Sequence, residues 1–248
     1  MVGFVDVESP PGLWGGYATH LYLGPDAVLI PLPAVLDPVL ATMFNPLGAG
    51  IRWAVAVPGT KPGAVVAILG PGVRGLCAAA AASDAGAAFV MITGRGPRDA
   101  DRLAHATRFG ADLAVDVTTD DPIRALKAAT GGLADVVVDV TAKAPAAFAQ
   151  AIALARPGGT VVVAGTRGAM GTVHFEPDHI VFKELRVLGA LGVDVTAYRS
   201  AVDMLASSPW PFADIPREVV GFDGLESLIQ RMAGEGEVPP PIHAVFAP

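Results

Sequence analysis

Gly70, Gly72 and Gly75 fall in the spacing G-x-G-x-x-G, within "AILGPGVRG", where an apolar run meets an alanine-rich one. That spacing suits pyrophosphate. Gly70 permits a tight turn, Gly72 lets phosphate oxygens approach the backbone, and Gly75 lets a helix lie close on the preceding strand. Backbone N–H groups at the helix start, at the positive end of its dipole, then hold the anion. Pro71 has no N–H, so Gly72, Val73 and Arg74 must supply the donors. A plain glycine turn carries the same residues, and the motif gains weight only from a strand before it and a helix after it.

A second group of residues bears on which dinucleotide would bind. After the next β-rich run the sequence reads "VMITGRGPRD". A site for NAD usually has Asp or Glu at that strand end, accepting from the ribose hydroxyls. Here Thr93-Gly94 stand in its place, and Arg95 and Arg98 follow. Gly94, Arg95 and Arg98 would surround the adenosine ribose. The arginines favour a 2′-phosphate, hence NADP over NAD, because guanidinium pairs well with phosphate oxygens. A solvated basic helix start accounts for them equally well. Further on, "DVTA" and "AGTRG" end two more β-rich runs. Thr141, Gly165 and Thr166 would there approach the nicotinamide half, since ligands bind at the carboxyl ends of such strands. Ordinary strand-end turns would use the same residues.

Other reactive residues offer less. Cys77 is the only cysteine, so no intrachain disulfide or multi-cysteine metal site forms within the sequence. Two residues beyond Gly75 on the same helix, it reads as a small core residue. His174, Asp178 and His179 cluster in "VHFEPDHIVFKE", but their spacing matches no ligand pattern, and solvated residues explain them better. There is no G-x-S-x-G, H-E-x-x-H or G-K-S/T motif. No metal site is assigned, and no catalytic acid or base can be named.

The elements that would position these residues alternate regularly. Six β-rich runs are expected at 64–69, 87–92, 113–117, 134–140, 158–165 and 185–192. Helices are expected at about 73–85 and 99–109, after Pro122, and over "APAAFAQAIALA". Runs such as Val136-Val137-Val138 and Val161-Val162-Val163 lack alternation, as strands covered on both faces should. This rhythm predicts an α/β fold with a doubly wound, parallel, six-stranded sheet. Outside it, "GGYATHLYL" reads as a strand, 36–56 as one or two helices, 196–206 and 225–232 as helices, and "IHAVFA" as a last strand. A net charge of −7 argues against a nucleic-acid groove. No apolar stretch reaches membrane-span length uninterrupted, and "MVGFVDVESPPG" lacks the features of a signal peptide. One cysteine in 248 residues fits a reducing cytoplasm.

The order of these segments resembles the medium-chain dehydrogenase/reductase family, which includes zinc-type alcohol dehydrogenases. "NPLGAGIRWAVAVPGTKPGAVVAILGPGVRG" is similar to the family's helix, Pro-Gly turn and nucleotide-binding strand. "RLAHATRFGAD" looks like its second crossover helix, "ARPGGTVVVAG" like its fifth strand, and "GGYATHLYL" like its last barrel-strand segment. The resemblance implies a Rossmann domain at 46–192, flanked by remnants of a GroES-like β-barrel: 1–45, and a C-terminal return at 193–248. It implies NAD(P)-dependent hydride transfer between nicotinamide and an alcohol or carbonyl substrate. The alternative is a catalytically incomplete dinucleotide-binding fragment or a cofactor-sensing module. The sequence starts late relative to the family, without the segments that supply a Cys and a His–Glu pair to catalytic zinc. The neighbourhood of a further family cysteine reads Met43-Phe44-Asn45-Pro46, so zinc is not supported by these residues. Tyr17 and His20 would lie on the barrel remnant, and His243 near a basic pyrophosphate contact found in some members. Members often form homodimers through the sixth strand, here "LRVLGALG".

Overall fold

The computed structural model describes residues 5–6, 8–168, 171, 175–207, 209–235 and 237–248; His174 lies outside them. Two compact units form, one from Ala34–Ala213 and one from Met1–Pro33 with Asp214–Pro248.

The larger unit opens with α1 (Pro38–Ala41) and α2 (Phe44–Ile51), the latter running into a π turn at Arg52–Ala56. Strand β1 (Val65–Leu69) and helix α3 (Val73–Asp84) follow, then β2 (Phe89–Gly94) and α4 (Gly96–Ala106). Next come β3 (Leu113–Asp116), α5 (Pro122–Thr130), β4 (Ala134–Asp139) and α6 (Ala147–Leu154). The unit ends with β5 (Ala155–Val163), α7 (Asp178–Phe182), β6 (Arg186–Gly189) and α8 (Val195–Ser207). All pairings are parallel, in the order β3-β2-β1-β4-β5-β6. This is the doubly wound arrangement expected from the valine runs. Val66 to Leu69 of β1 and Val137, Val138, Val161 and Val162 of its neighbours are buried, so the sheet core needs no polar face.

Local chemistry sets the element ends. Asp37 caps α1 through Leu40 N, and Asp121 caps α5 through Ile123 N, each just before a proline at the first helical position. At the amino edge of the sheet, Asp135 accepts from Val65 N and Asp112 from Val90 N, satisfying strand donors that have no ladder partner. Helix α6 passes into β5 with no connecting residue. Lys183 makes that possible by donating to the carbonyls of Ile152, Ala153 and Ala155, each at 2.9 Å. Burial holds its ammonium pKa below the usual lysine range, and Lys127 adds to this.

Helix α3 is buried along Leu76–Ala82, because α2 covers the face that the sheet does not. Its alanines allow close approach. A Cβ on Gly50 of α2 would lie 2.6 Å from the backbone carbon of Cys77. Cys77 is itself fully buried, as expected of a core residue, and burial pushes its thiol pKa up.

The compact units divide after Pro33 and Ala213. The cause is α8 packing on α2: Asn45 Nδ2 donates to Tyr198 Oη at 3.0 Å, and Arg52 pairs with Asp194 at 2.9 Å. Helix α4 also begins earlier than expected, at Gly96 instead of Asp99.

In the smaller unit β7 (Arg217–Val220) pairs in parallel with β8 (His243–Phe246), and α9 (Phe222–Ala233) joins them. "GGYATHLYL" is not a strand; residues 15–23 run as bends and irregular backbone. Strands need a neighbour for their N–H and C=O groups. Among the described residues the backbone bond made here is a single one, Tyr22 N to Leu13 O at 2.9 Å.

Two outcomes follow from this packing. Gly50→Ala forces α2 off α3, and an equilibrium urea melt should show a loss of about 1–3 kcal/mol. His243 is buried, and burial, with the Arg217 charge second, lowers its pKa from 6.5 to about 4. The unfolded chain therefore takes up a proton that the folded chain refuses. This stability is complete above pH 6.5 and is lost as pH falls towards about 4. The melting temperature should drop across that window more steeply in the wild type than in His243→Gln.

Candidate functional site

The carboxyl edge of the sheet brings together the turns after β1, β2, β4 and β5. The first is the glycine loop. Gly70 has φ +106°, a conformation that favours glycine, and its N–H donates to Thr93 O. Pro71 is buried, and Gly72, extended at φ −66° and ψ 177°, caps α3. A Cβ on Gly75 would lie 1.9 Å from Gly70 O, so α3 can leave the turn at this angle only without a side chain there. A Cβ on Gly72 would meet nothing within 4 Å. The open space lies where phosphate must approach, and the first α3 N–H groups face it without intrahelical partners. These features fit a pyrophosphate. Arg74 is exposed; its Nη2 donates to Asn45 Oδ1 at 3.5 Å, and its guanidinium lies 5.9 Å from the Trp53 ring centre.

The turn after β2 touches the loop directly. A Cβ on Gly94 would sit 2.8 Å from Pro71 Cγ and 3.0 Å from Leu103. Pro71 thus costs the loop a donor but packs it against the turn after β2, and Gly94 leaves room for that contact. Arg95 and Arg98 are exposed beside it. Asp116, at the end of β3, accepts from Gly96 N at 2.8 Å and from Thr118 N and Oγ1. The Thr118 hydroxyl first, then the two backbone donors, hold its carboxyl below the usual carboxylate range. Asp99 accepts from Arg95 N and pairs with Arg102.

Thr141 and Gly165 form the other side. A Cβ on Gly165 would lie 1.7 Å from Thr141 O, and one on Gly70 would lie 3.1 Å from Thr141 Cγ2. Thr166 is exposed after Gly165. The glycine loop, Gly94, Thr141 and Gly165 therefore meet along one edge. Beneath them is a feature the sequence reading missed: Asp139 is fully buried and paired with Arg167, itself 9% exposed. Its signal was legible. A carboxylate ending the run Val136-Val137-Val138 must have a partner, because an unpaired buried charge is very costly.

The remaining candidates lie elsewhere. His179 pairs with Glu176 at 3.5 Å, and both are exposed. Among the described residues no three His, Cys, Asp or Glu side chains converge to hold a metal ion. Tyr17 packs edge-on against Phe246, and His20 Nδ1 lies 3.0 Å from Thr19 Oγ1, both within the smaller unit. His243 is neutral near pH 7, which weakens it as an anion contact. Among the described residues no helix is long and apolar enough to cross a membrane.

A doubly wound, wholly parallel sheet with a glycine cradle at its carboxyl edge defines a dinucleotide-binding class of fold. Comparison with known proteins narrows this: residues 74–207 match the family model of the zinc-binding dehydrogenases, and the chain belongs to that family. A Mycobacterium tuberculosis (strain H37Rv) protein named "Probable alcohol dehydrogenase adh" is 67% identical over 249 residues, covering 100% of this chain and 68% of its own length. Among solved structures, L-idonate 5-dehydrogenase from Escherichia coli K-12 superposes with a TM-score of 0.73 at 26% identity, over 88% of this chain and 60% of that one. A zinc-binding dehydrogenase from Sinorhizobium meliloti 1021, solved bound to NADP, gives 0.72 at 30% identity, over 88% and 61%. The chain thus spans about three fifths of these two solved structures.

Gly75→Ala should open the loop. Differential scanning calorimetry is expected to show destabilisation of about 1–3 kcal/mol, whereas Gly72→Ala, with open space around it, stays within about 0.5 kcal/mol of wild type.

Proposed function

We propose that the chain is the cofactor-holding part of a NAD(P)-dependent oxidoreductase acting on a small alcohol or carbonyl compound. The glycine cradle carries this reading: it combines a turn no side chain can enter, at Gly70 and Gly75, with an open approach at Gly72. When bound, the nicotinamide would accept hydride from an alcohol in its oxidised form or donate it to a carbonyl in its reduced form; the protein binds it and aims its reactive face. Gly70, Gly72, Val73, Arg74 and Gly75 hold the pyrophosphate, Gly94, Arg95 and Arg98 surround the adenosine ribose, and Thr141, Gly165 and Thr166 approach the nicotinamide half. Residues 1–45 and 193–248 belong to a GroES-like catalytic part, with the Rossmann domain between them. Among the described residues none converge to fit zinc, and no step is assigned to it.

The NADP-bound S. meliloti relative and the arginines beside Gly94 support NADP as the preferred form. The assembly is a homodimer through β6. That strand is one edge of the sheet, and Val187 on it, with Phe182 and Leu191 nearby, is exposed. A charge of −7 supports a small-molecule partner over nucleic acid, and the single cysteine supports a cytoplasmic location.

Titration calorimetry with NADPH and NADH tests the reading. The wild type should bind NADPH more tightly. Gly72→Asp should cap α3 well yet repel the pyrophosphate, weakening binding about a hundredfold through like-charge contact. Wild type that binds neither dinucleotide, or a variant that binds as wild type does, overturns it. Binding without turnover of alcohols, aldehydes and ketones would assign these 248 residues to cofactor binding alone.

A further inference from the structure

We propose that the buried Asp139–Arg167 pair is a positioning device for the nicotinamide half of the dinucleotide. It fixes the Gly165–Thr166 turn relative to the glycine loop; the inference rests on the dinucleotide reading above. Stability alone does not account for the pair. A buried ion pair often contributes no more than apolar residues of the same volume. Arg167 also keeps its Nε–H buried with no partner among the described residues, which is a cost by itself.

What the pair does have is reach. Asp139 Oδ1 accepts from Thr141 N at 3.0 Å and from Thr141 Oγ1 at 2.6 Å. Thr141 is the residue wedged between Gly70 and Gly165. The other carboxylate oxygen binds the Arg167 guanidinium, whose Nη1 donates to Gly165 O at 2.8 Å. One carboxylate thereby holds the wedge and, through arginine, the turn beyond it. Arginine suits this better than lysine, since its planar fork spans two acceptors in fixed geometry. The adenosine side is wired separately, through Pro71 on Gly94 and Asp116 on Gly96. The pair should therefore act on one half of the ligand and not the other.

The test titrates the full chain with NADPH (or NADH, if wild type prefers it) and with ADP, which lacks the nicotinamide and its ribose. Three variants are compared with wild type. Thr141→Val keeps both charges paired but removes the hydroxyl tie, and Asp139→Asn with Arg167→Gln leaves no orphaned charge. Each should weaken dinucleotide binding at least about tenfold while ADP binding stays within about twofold of wild type, and Arg167→Lys should recover part of the loss. Parallel weakening of both ligands means a structural role and overturns the inference, as does no change in either. If the double variant does not fold, Arg167→Lys, which keeps the charge but not the fork that reaches Gly165 O, decides by the same split. Wild type that binds neither ligand instead overturns the dinucleotide reading.

Discussion

Four backbone turns meet at the carboxyl edge of the sheet at separations that a methyl group would prevent, and the organisation of the large unit follows from that approach. Gly75 against Gly70 O sets the angle at which α3 leaves β1. Gly94 against Pro71 sets the position of the next turn, and Gly165 against Thr141 that of the β5 end. The hydrogen bonds agree: Gly70 N to Thr93 O, Val140 N to Leu69 O and Ala164 N to Asp139 O carry the strand ladder beyond its regular end. The ligand edge is thus stiff, which a binding site needs if ordering it on ligation is to cost little.

The opposite edge is built on another principle. There Asp135 and Asp112 cap the first N–H groups of neighbouring strands, and Arg156 steadies Asp135. The amino edge is thus held by carboxylates that accept from strand N–H groups, and the carboxyl edge by the close approach of glycine backbones.

Much of this was legible in the sequence. Unalternating valine runs mean burial on both faces, and β4 and β5 formed accordingly; the spacing of Gly70, Gly72 and Gly75 located the loop. The start of α4 was misjudged because Gly96 adopts φ +57° with its N–H held by Asp116, a tie made across twenty residues. The strand expected at "GGYATHLYL" failed for a different reason. Its pattern suits a strand, but pairing depends on neighbours that local pattern does not specify. That residues 34–45 and 193–213 pack with the large unit was not legible, because α2 and α8 meet through Asn45 and Tyr198, far apart in sequence. Asp139 could have been flagged by its valine context, whereas its link to Arg167 needed the fold.

Helix α3 has a consequence for what the chain can tolerate by substitution. Alanines 78 to 82 are all buried, enclosed by the sheet and by a neighbouring helix at backbone distance. Five successive positions on one helix thus share the same ceiling on side-chain volume, although they point in five directions. Composition here is constrained by size and not by face. A side chain much larger than alanine at these sites has to displace the sheet or the neighbouring helix, which costs stability as overpacking does.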